Sequence, residues 1–197
     1  MPGLSIAIVL FPGAEELDWV GPWEVLSGWA GGWPSDEVQV FTVADTTEPI
    51  RCARGARALA DHTWDTAPGF DLMLWPGGPG VRALLGDDAV RKRVRTAAEA
   101  GVVLTSVCTG ALVLADAGVL DNRPATTYWS SFEHLVQLGT NIEPRPDDRF
   151  VDDGQVVTAA GVSAGIDMAL HLVRRFSSLE RAREVRRFIQ YDPEPPV

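Results

Sequence analysis

The feature that most constrains the fold of this chain is the alternation of short apolar runs with amphipathic segments. Residues 4–11, LSIAIVLF, form a nearly continuous apolar run rich in β-branched residues, as expected of a strand covered on both faces. Further strands are predicted at 37–43, at 102–107 and at 71–80, where the last one ends in a glycine-rich turn. Strands that alternate with helices predict an α/β fold with a mainly parallel central sheet.

Helical patterns separate these strands. Residues 87–100 form an amphipathic helix, with Asp87 or Asp88 as its cap and Gly101 as its stop. The other predicted elements are a short helix at 20–30, a hairpin at 51–60, a small-residue helix at 109–117 closed by Gly118, a hairpin at 151–157, and two closing helices at 162–176 and 178–190 before the tail DPEPPV. No linker or repeat interrupts the pattern, so residues 1–197 are predicted to form one domain.

Composition excludes several classes of function. The formal net charge of −10 disfavours contact with nucleic acid, because a negative surface repels phosphate backbones. No apolar run reaches the roughly 18–20 residues of a membrane span, and the start of the chain lacks the pattern of a signal peptide, which predicts a cytoplasmic protein. Two cysteines and three scattered histidines form neither a disulfide framework nor a metal motif, so no metal site is expected.

The central chemical feature is Cys108, which lies where the predicted strand 102–107 meets the next helix. Nucleophiles of hydrolases occupy the same kind of turn, which projects the side chain above the sheet edge. The helix would aim free N–H groups and the positive end of its dipole at the sulfur, which predicts a lowered pKa for Cys108. The alternative is that Cys108 is a small buried hydrophobic residue.

The turn PGGPG lies at the end of another predicted strand, on the same sheet edge as Cys108. Glycines at such a place let backbone N–H groups approach a ligand closely. The amides of Gly77 and Gly78 are therefore candidates for an oxyanion hole that binds developing negative charge. The alternative for this segment is a tight turn before a helix.

An acidic segment, EELDWVGP, follows the first strand and reaches the same edge. Asp18, between Leu17 and Trp19, is expected to be half-buried, whereas Glu15 and Glu16 are expected to face solvent. A carboxylate near a thiolate would have a raised pKa and could carry a proton at neutral pH. Asp18 could also cap a helix N-terminus, and the two roles are compatible.

Together these elements resemble the ThiJ/PfpI superfamily, with its class I glutamine amidotransferase-like fold, and within it the isonitrile hydratase branch. The matching stretches are LFPGAEELDWVGPWEVL, WPGGPGV, TSVCTGALVLADAGVLDNRPATTYW, AGVSAGIDMAL and QYDPEPPV. The resemblance covers residues 10–197, and the stretch around Cys108 is its most specific part. It implies a flavodoxin-like three-layer sandwich and a homodimer.

The resemblance also implies an activity, the hydration of an isocyanide to an N-formamide without a cofactor. Cys108 corresponds to the nucleophile, Asp18 to the acid–base partner, Thr109 to a neighbouring hydroxyl, and Gly77 and Gly78 to the backbone donors. The thiolate would attack the terminal carbon of the isocyanide and form a thioimidate-type intermediate. Asp18 would transfer protons and position water.

One position departs from the pattern of this branch. Many relatives have His before Trp in an ATTHW stretch, whereas this chain has Tyr128, which bears on the identity of the substrate. Tyr128, Trp19 and Trp129 are candidates to line the pocket, with Trp23 and Trp75 also near the matched stretches.

Other functions remain open from the sequence. PfpI-type peptidases have His directly after the nucleophile, where this chain has Thr109, and a methylglyoxal-type hydratase usually needs Glu at the position of Asp18. His134 and His171 lie on helical segments and are expected to be structural, and Cys52 to be an incidental thiol. AraC-type regulators carry a similar domain, so a ligand or cysteine-redox sensor is the alternative to catalysis.

Overall fold

A computed structural model describes residues 3–193 of the chain. Its strands are β1 (Leu4–Val9), β2 (Val38–Ala44), β3 (Ile50–Arg51), β4 (Arg57–Ala58), β5 (His62–Thr63), β6 (Leu72–Trp75), β7 (Val103–Val107), β8 (Pro124–Ala125), β9 (Glu143–Pro144), β10 (Phe150–Asp153) and β11 (Val156–Ala159). Its helices are α1 (Glu16–Gly32), α2 (Val81–Leu84), α3 (Asp88–Glu99), α4 (Gly110–Asp116), α5 (Phe132–Leu138), α6 (Ala164–Phe176) and α7 (Leu179–Phe188).

The central sheet has seven strands in the order β10-β11-β7-β6-β1-β2-β5. Every neighbouring pair is parallel except β10 and β11, which form the predicted hairpin. Helices α1, α6 and α7 pack together against one face, and α3, α4 and α5 cover the other. The predicted flavodoxin-like α/β sandwich with a mainly parallel sheet is therefore confirmed.

Most predicted elements are present, with shifted ends. The Asp87 carboxylate caps α3 by accepting from the amides of Ala89 and Val90, and Gly101 ends that region at a φ of +82°. The predicted strand at 4–11 stops at Val9, because the chain then turns toward Pro12. The hairpin at 51–60 consists of β3 and β4 and stands outside the main sheet.

The largest difference concerns the first helix, which the sequence pattern predicts at 20–30 and which spans Glu16–Gly32 in the structure. Pro22 lies inside it, and because proline has no N–H, it cannot donate to the carbonyl four residues earlier. The helix forms nevertheless, because its face bearing Val25, Leu26 and Trp29 is buried against the sheet. This early start places Asp18 in the first turn, at the carboxyl end of β1.

The sequence pattern does not predict the short strand pair β8 and β9. Of the tail DPEPPV, residues 194–197 lie outside the described part of the chain.

Candidate active site at the carboxyl edge of the sheet

Cys108 occupies a sharp turn between β7 and α4, as the sequence predicts. Its φ of +58° lies in the left-handed region, which residues with a side chain adopt only where the surrounding structure imposes it. The Cys108 N–H donates to the carbonyls of Ala159 and Ala160, at 3.1 and 2.9 Å. The Cys108 carbonyl accepts a hydrogen bond of 2.8 Å from the hydroxyl of Thr127. Both peptide groups of the turn are thus anchored to neighbouring segments.

Two glycines let the segments around Cys108 approach each other closely. A Cβ on Gly110 would lie 2.1 Å from the carbonyl oxygen of Trp75, and a Cβ on Gly77 would lie 2.5 Å from the Thr109 nitrogen and 2.8 Å from Asp18 Oδ2. Real Cβ atoms do not make contacts this short. The contact between β6 and the start of α4 therefore requires glycine at both positions.

Asp18 is fully buried beside Cys108 rather than half-buried as predicted. The Gly77 N–H donates to Asp18 Oδ2 at 2.9 Å, and Oδ1 has no hydrogen-bond partner among the described residues. Burial raises the pKa of Asp18 to about 7, although the hydrogen bonds it accepts act in the opposite direction. Asp18 does not cap α1, because the cap position is Glu15, which makes no side-chain cap.

The pKa of Cys108 is raised, whereas the sequence predicts a lowered pKa. Burial of the sulfur, followed by the negative charge of Asp18, raises the pKa of the Cys108 thiol to about 12. The backbone N–H groups of Thr109 and Val162 donate to the sulfur and oppose this rise without overcoming it. Cys108 and Asp18 therefore share one proton from near neutral pH upward, with the thiol as its main holder.

The amides of Gly77 and Gly78 are not free to form the predicted oxyanion hole. Gly77 N–H is bonded to Asp18, and Gly78 N–H donates to the Thr109 hydroxyl at 2.9 Å. These glycines hold the two side chains in place, and the donors that face the sulfur are the amides of Thr109 and Val162. The physical reason is that carboxylate and hydroxyl oxygens inside a buried site take up the nearest free N–H groups.

Val162 is a site residue that the sequence analysis missed. It precedes α6 and has a φ of +51°, which is an outlier for a β-branched residue. Its N–H donates toward both the Cys108 sulfur and the Asp18 carboxylate. The matching stretch AGVSAG contained the only signal, which marked the segment without indicating the backbone conformation.

A cleft of about 280 Å³ opens above Cys108 and Thr109. Val81 and Leu112 supply buried apolar wall, and the remaining lining residues are Glu15, Arg54, Gly78, Pro79, Arg82, Tyr128, Ser130, Ser131, His134 and Val162. Leu112 belongs to α4, which follows the turn at Cys108, and Val81 belongs to α2, which follows the PGGPG turn. Both helices therefore contribute to the wall of the cleft.

Three charged or polar expectations at this cleft were wrong. Glu15 does not face solvent, since its side chain is 15% exposed, lines the cleft and pairs with Arg54 at 3.2 Å. The Glu16 carboxylate accepts hydrogen bonds from the backbone N–H groups of Arg54 and Ala56. These bonds hold the β3–β4 turn over the site. His134, expected to be structural, lines the cleft from α5. These contacts join segments about 40 to 120 residues apart, which local patterns cannot reveal.

Of the aromatic residues predicted to line the pocket, Tyr128 lines the cleft and the tryptophans do not. Tyr128 lines the cleft and packs against Gly161, where a Cβ would lie 2.4 Å from its ring. Trp129 is 76% exposed and lies outside this cleft. Trp19 packs among core residues and does not line the cleft, and Cys52 is a buried thiol away from the cleft. Trp23 and Trp75 also pack in the core.

Comparison with known proteins identifies the family. The DJ-1/PfpI family profile matches residues 4–175. The chain belongs to the DJ-1/PfpI family. Isonitrile hydratase of Pseudomonas putida is 36% identical over 193 residues, which cover 98% of this chain and 81% of that protein. The predicted ThiJ/PfpI resemblance is confirmed.

Other DJ-1/PfpI relatives differ in activity. The glutathione-independent glyoxalase DJR-1.2 of Caenorhabditis elegans is 27% identical, with 94% of this chain and 96% of that protein covered. Among solved structures, a ThiJ/PfpI family protein from Pseudomonas syringae superimposes with a TM-score of 0.86 at 29% identity, covering 100% of this chain and 78% of that one.

Among residues 3–193, no cluster of three or more His, Cys, Asp or Glu side chains is arranged to hold a metal ion. Over the same residues, none of the helices has the length and apolar character needed to cross a membrane. Cys52 and Cys108 are both free thiols.

Proposed function

We propose that this protein is a cysteine-dependent isonitrile hydratase, a hydro-lyase that converts R–N≡C to R–NH–CHO. The observation that carries the proposal is the pair formed by Cys108, which lines the cleft, and Asp18, which is buried beside it. A thiol lies beside a buried carboxyl group whose pKa is raised to about 7 by burial, which suits proton transfer near neutral pH. The 36% identity to isonitrile hydratase of Pseudomonas putida supports the choice of substrate class.

In the first step the Asp18 carboxylate accepts the proton of the Cys108 thiol as the sulfur attacks the terminal isocyanide carbon. The S–C bond forms, and Asp18 then delivers the same proton to that carbon while C≡N becomes C=N. The product is a thioimidate, R–N=CH–S–Cys108. No net proton leaves the site, which fits a pair that holds a single proton.

In the second step water adds to the thioimidate carbon. Asp18 accepts one proton from the water and passes it to the nitrogen, giving R–NH–CH(OH)–S–Cys108. The C–S bond then breaks as the hydroxyl group becomes the formamide carbonyl, and the hydroxyl proton passes through Asp18 to the sulfur. The backbone N–H groups of Thr109 and Val162 stabilise negative charge on the sulfur at the start and at the end.

Thr109 has a positioning role in this proposal. Its hydroxyl accepts from Gly78 N–H at 2.9 Å, which ties the start of α4 to the β6 turn. Its own amide therefore stays directed at the Cys108 sulfur. Redox sensing is the less favoured alternative, because oxidation-sensitive cysteines have lowered pKa values, whereas the pKa of Cys108 is raised.

We also propose that the protein acts in the cytoplasm as a homodimer. Two free thiols are compatible with a reducing compartment. On α1, the apolar side chains of Leu17 and Val20 are each 37% exposed, which supports association through this helix. Light scattering should give twice the mass of the 197-residue chain, and a monomer mass would refute the dimer.

The test is turnover of para-nitrophenyl isocyanide, followed as formation of the formamide. We expect wild-type activity to disappear in Cys108→Ala and to fall at least about 100-fold in Asp18→Asn. Cys52→Ala is the matched control, because Cys52 is an equally buried thiol outside the cleft, and it should retain activity. Absence of turnover in the wild type, or activity that survives Cys108→Ala, would overturn the proposed function.

A further inference from the structure

The rim of the cleft is positively charged, although the chain as a whole carries a net charge of −10. The charged side chains that line it are Arg54, Arg82 and Glu15. Arg54 is paired with Glu15 at 3.2 Å, so these two charges offset each other. The remaining formal charge at the rim is the guanidinium of Arg82.

Arg82 has no ion-pair or side-chain hydrogen-bond partner among residues 3–193. This sets it apart from Arg54, Arg91 and Arg181, each of which binds a carboxylate. Arg82 belongs to α2, directly after the PGGPG turn, and its neighbour Val81 is 1% exposed. The backbone that bears the free guanidinium is therefore held against the core beside the reactive thiol.

The lining changes in character from floor to rim. Cys108 is 6% exposed at the floor, and the buried side chains of Val81 and Leu112 form apolar wall. Arg82 and His134 are exposed and lie at the rim, together with the hydroxyl-bearing Ser130. A ligand that fills the cleft would thus meet the thiol at one end, apolar side chains along its length and hydrogen-bond donors at the other end.

We propose that the cleft selects small isocyanides that bear a carboxylate, and that Arg82 binds this carboxylate at the rim. The inference rests on the proposed function and deepens it by naming the substrate class. A guanidinium binds a carboxylate through two parallel hydrogen bonds, and it also steers anions toward a site. The volume of about 280 Å³ lies just below the usual range for small-molecule pockets, which favours a short acyclic isocyano acid.

The first test does not depend on hydratase activity. Iodoacetate and iodoacetamide alkylate a thiol by the same displacement of iodide and differ in charge at nearly equal size. We would measure the rates at which each modifies Cys108, with peptide mass spectrometry to separate Cys108 from Cys52. The iodoacetate-to-iodoacetamide rate ratio should exceed that of N-acetylcysteine by about tenfold, as expected of one charge-assisted contact.

Three variants make this ratio diagnostic. Arg82→Met should return the ratio to that of N-acetylcysteine, and Arg82→Lys should keep part of the preference because it keeps the charge. Arg187→Met is the matched control, since it removes the same charge from an exposed position on α7 outside the cleft, and it should keep the wild-type ratio. A wild-type ratio no higher than that of N-acetylcysteine, or one unchanged in Arg82→Met, would overturn the proposal.

The second test compares 3-isocyanopropanoate with its methyl ester as substrates. We expect kcat/KM to favour the acid by about tenfold, with the preference falling at high ionic strength and in Arg82→Met. Equal turnover of acid and ester would refute the substrate class while leaving the hydratase function intact. Turnover of neither compound, together with an anion-selective alkylation ratio, would refute the proposed function and leave an anion-binding cleft.

Discussion

The backbone N–H of Gly77 donates a 2.9 Å hydrogen bond to the carboxylate of Asp18, although 59 positions separate the two residues. This bond joins the carboxyl end of β6 to the first turn of α1. The other oxygen of this buried carboxylate, Oδ1, has no hydrogen-bond partner among the described residues. The position of the Asp18 carboxyl group thus depends on the backbone of the glycine turn.

Gly77→Ala should therefore damage the site directly. The added Cβ would lie within 2.8 Å of the Asp18 carboxylate, the Thr109 nitrogen and the Thr109 hydroxyl, so the side chains must move. We expect a loss of about 1–3 kcal/mol in the free energy of unfolding and a fall in turnover of about 100-fold. Gly69→Ala is the control, because nothing lies within 4 Å of the added atom there. Equal activity of the two variants would contradict the assigned geometry.

The pH dependence of turnover should follow Asp18. The proposed mechanism needs its ionised form to accept the thiol proton, and burial raises the pKa of Asp18 to about 7. The value of kcat/KM should thus rise with pH through an apparent pKa near 7 and then stay level, because the pKa of Cys108 is raised to about 12. A profile that falls with rising pH in this range would show that the protonated acid is the active form.

Asp18→Asn should stabilise the fold at alkaline pH. The pKa of Asp18 is about 7 in the folded protein and near 3.8 when exposed, so between these values unfolding releases a proton and wild-type stability falls as the pH rises. At about 1.4 kcal/mol per pKa unit, the cost above pH 7 is at most about 4 kcal/mol. Asparagine does not ionise and can still accept from Gly77. Urea unfolding at pH 5 and pH 8 measures the difference.

Asp36 provides a control for that experiment, because its pKa is lowered in the folded protein whereas the pKa of Asp18 is raised. Its hydrogen bond to Arg181 lowers the pKa of Asp36, so this carboxylate contributes stability above its unfolded pKa and loses it in acid. Asp36→Asn should therefore destabilise the protein near neutral pH, with the effect fading as the pH falls. If both variants changed stability in the same direction at pH 8, the assigned cause at Asp18 would be wrong.

Thr127 anchors the turn at Cys108, because its buried hydroxyl donates to the Cys108 carbonyl at 2.8 Å. Thr127→Val keeps the shape of the side chain and leaves that carbonyl without this partner. We expect a loss of about 1–3 kcal/mol in stability, measured by thermal or urea unfolding, together with reduced turnover. Thr127→Ser keeps the hydroxyl and should retain more activity than Thr127→Val. The reverse order would exclude a role for this hydrogen bond.

The strained conformation of Val162 predicts an unusual order of stabilities. At a φ of +51°, glycine has no steric penalty, whereas alanine retains a Cβ that disfavours this region. Val162→Gly should therefore be more stable than Val162→Ala by about 1 kcal/mol. In ordinary backbone the order is the opposite, so a more stable Val162→Ala would mean that the segment adopts another conformation in solution.

Local sequence patterns determined the layout of the sheet and the elements that meet at the site. The apolar runs that became β1, β6 and β7 identify parallel strands, and their carboxyl ends share one edge by topology alone. That rule, with the motifs around Cys108, Asp18 and Gly77, was sufficient to predict which segments converge. The early start of α1 escaped this reasoning, because Pro22 conceals a helix that burial stabilises.

Only the tertiary structure decided how the groups at that edge are charged and which of them are free. The pKa values of Asp18 and Cys108 depend on how far packing removes them from water, a property of the whole fold that no local motif encodes. The same holds for Gly77, whose amide donates to a side chain from a distant segment, and for Arg82, which lines the cleft without a side-chain partner among residues 3–193. Sequence specifies the chemical groups, whereas burial and long-range contacts set their protonation and availability.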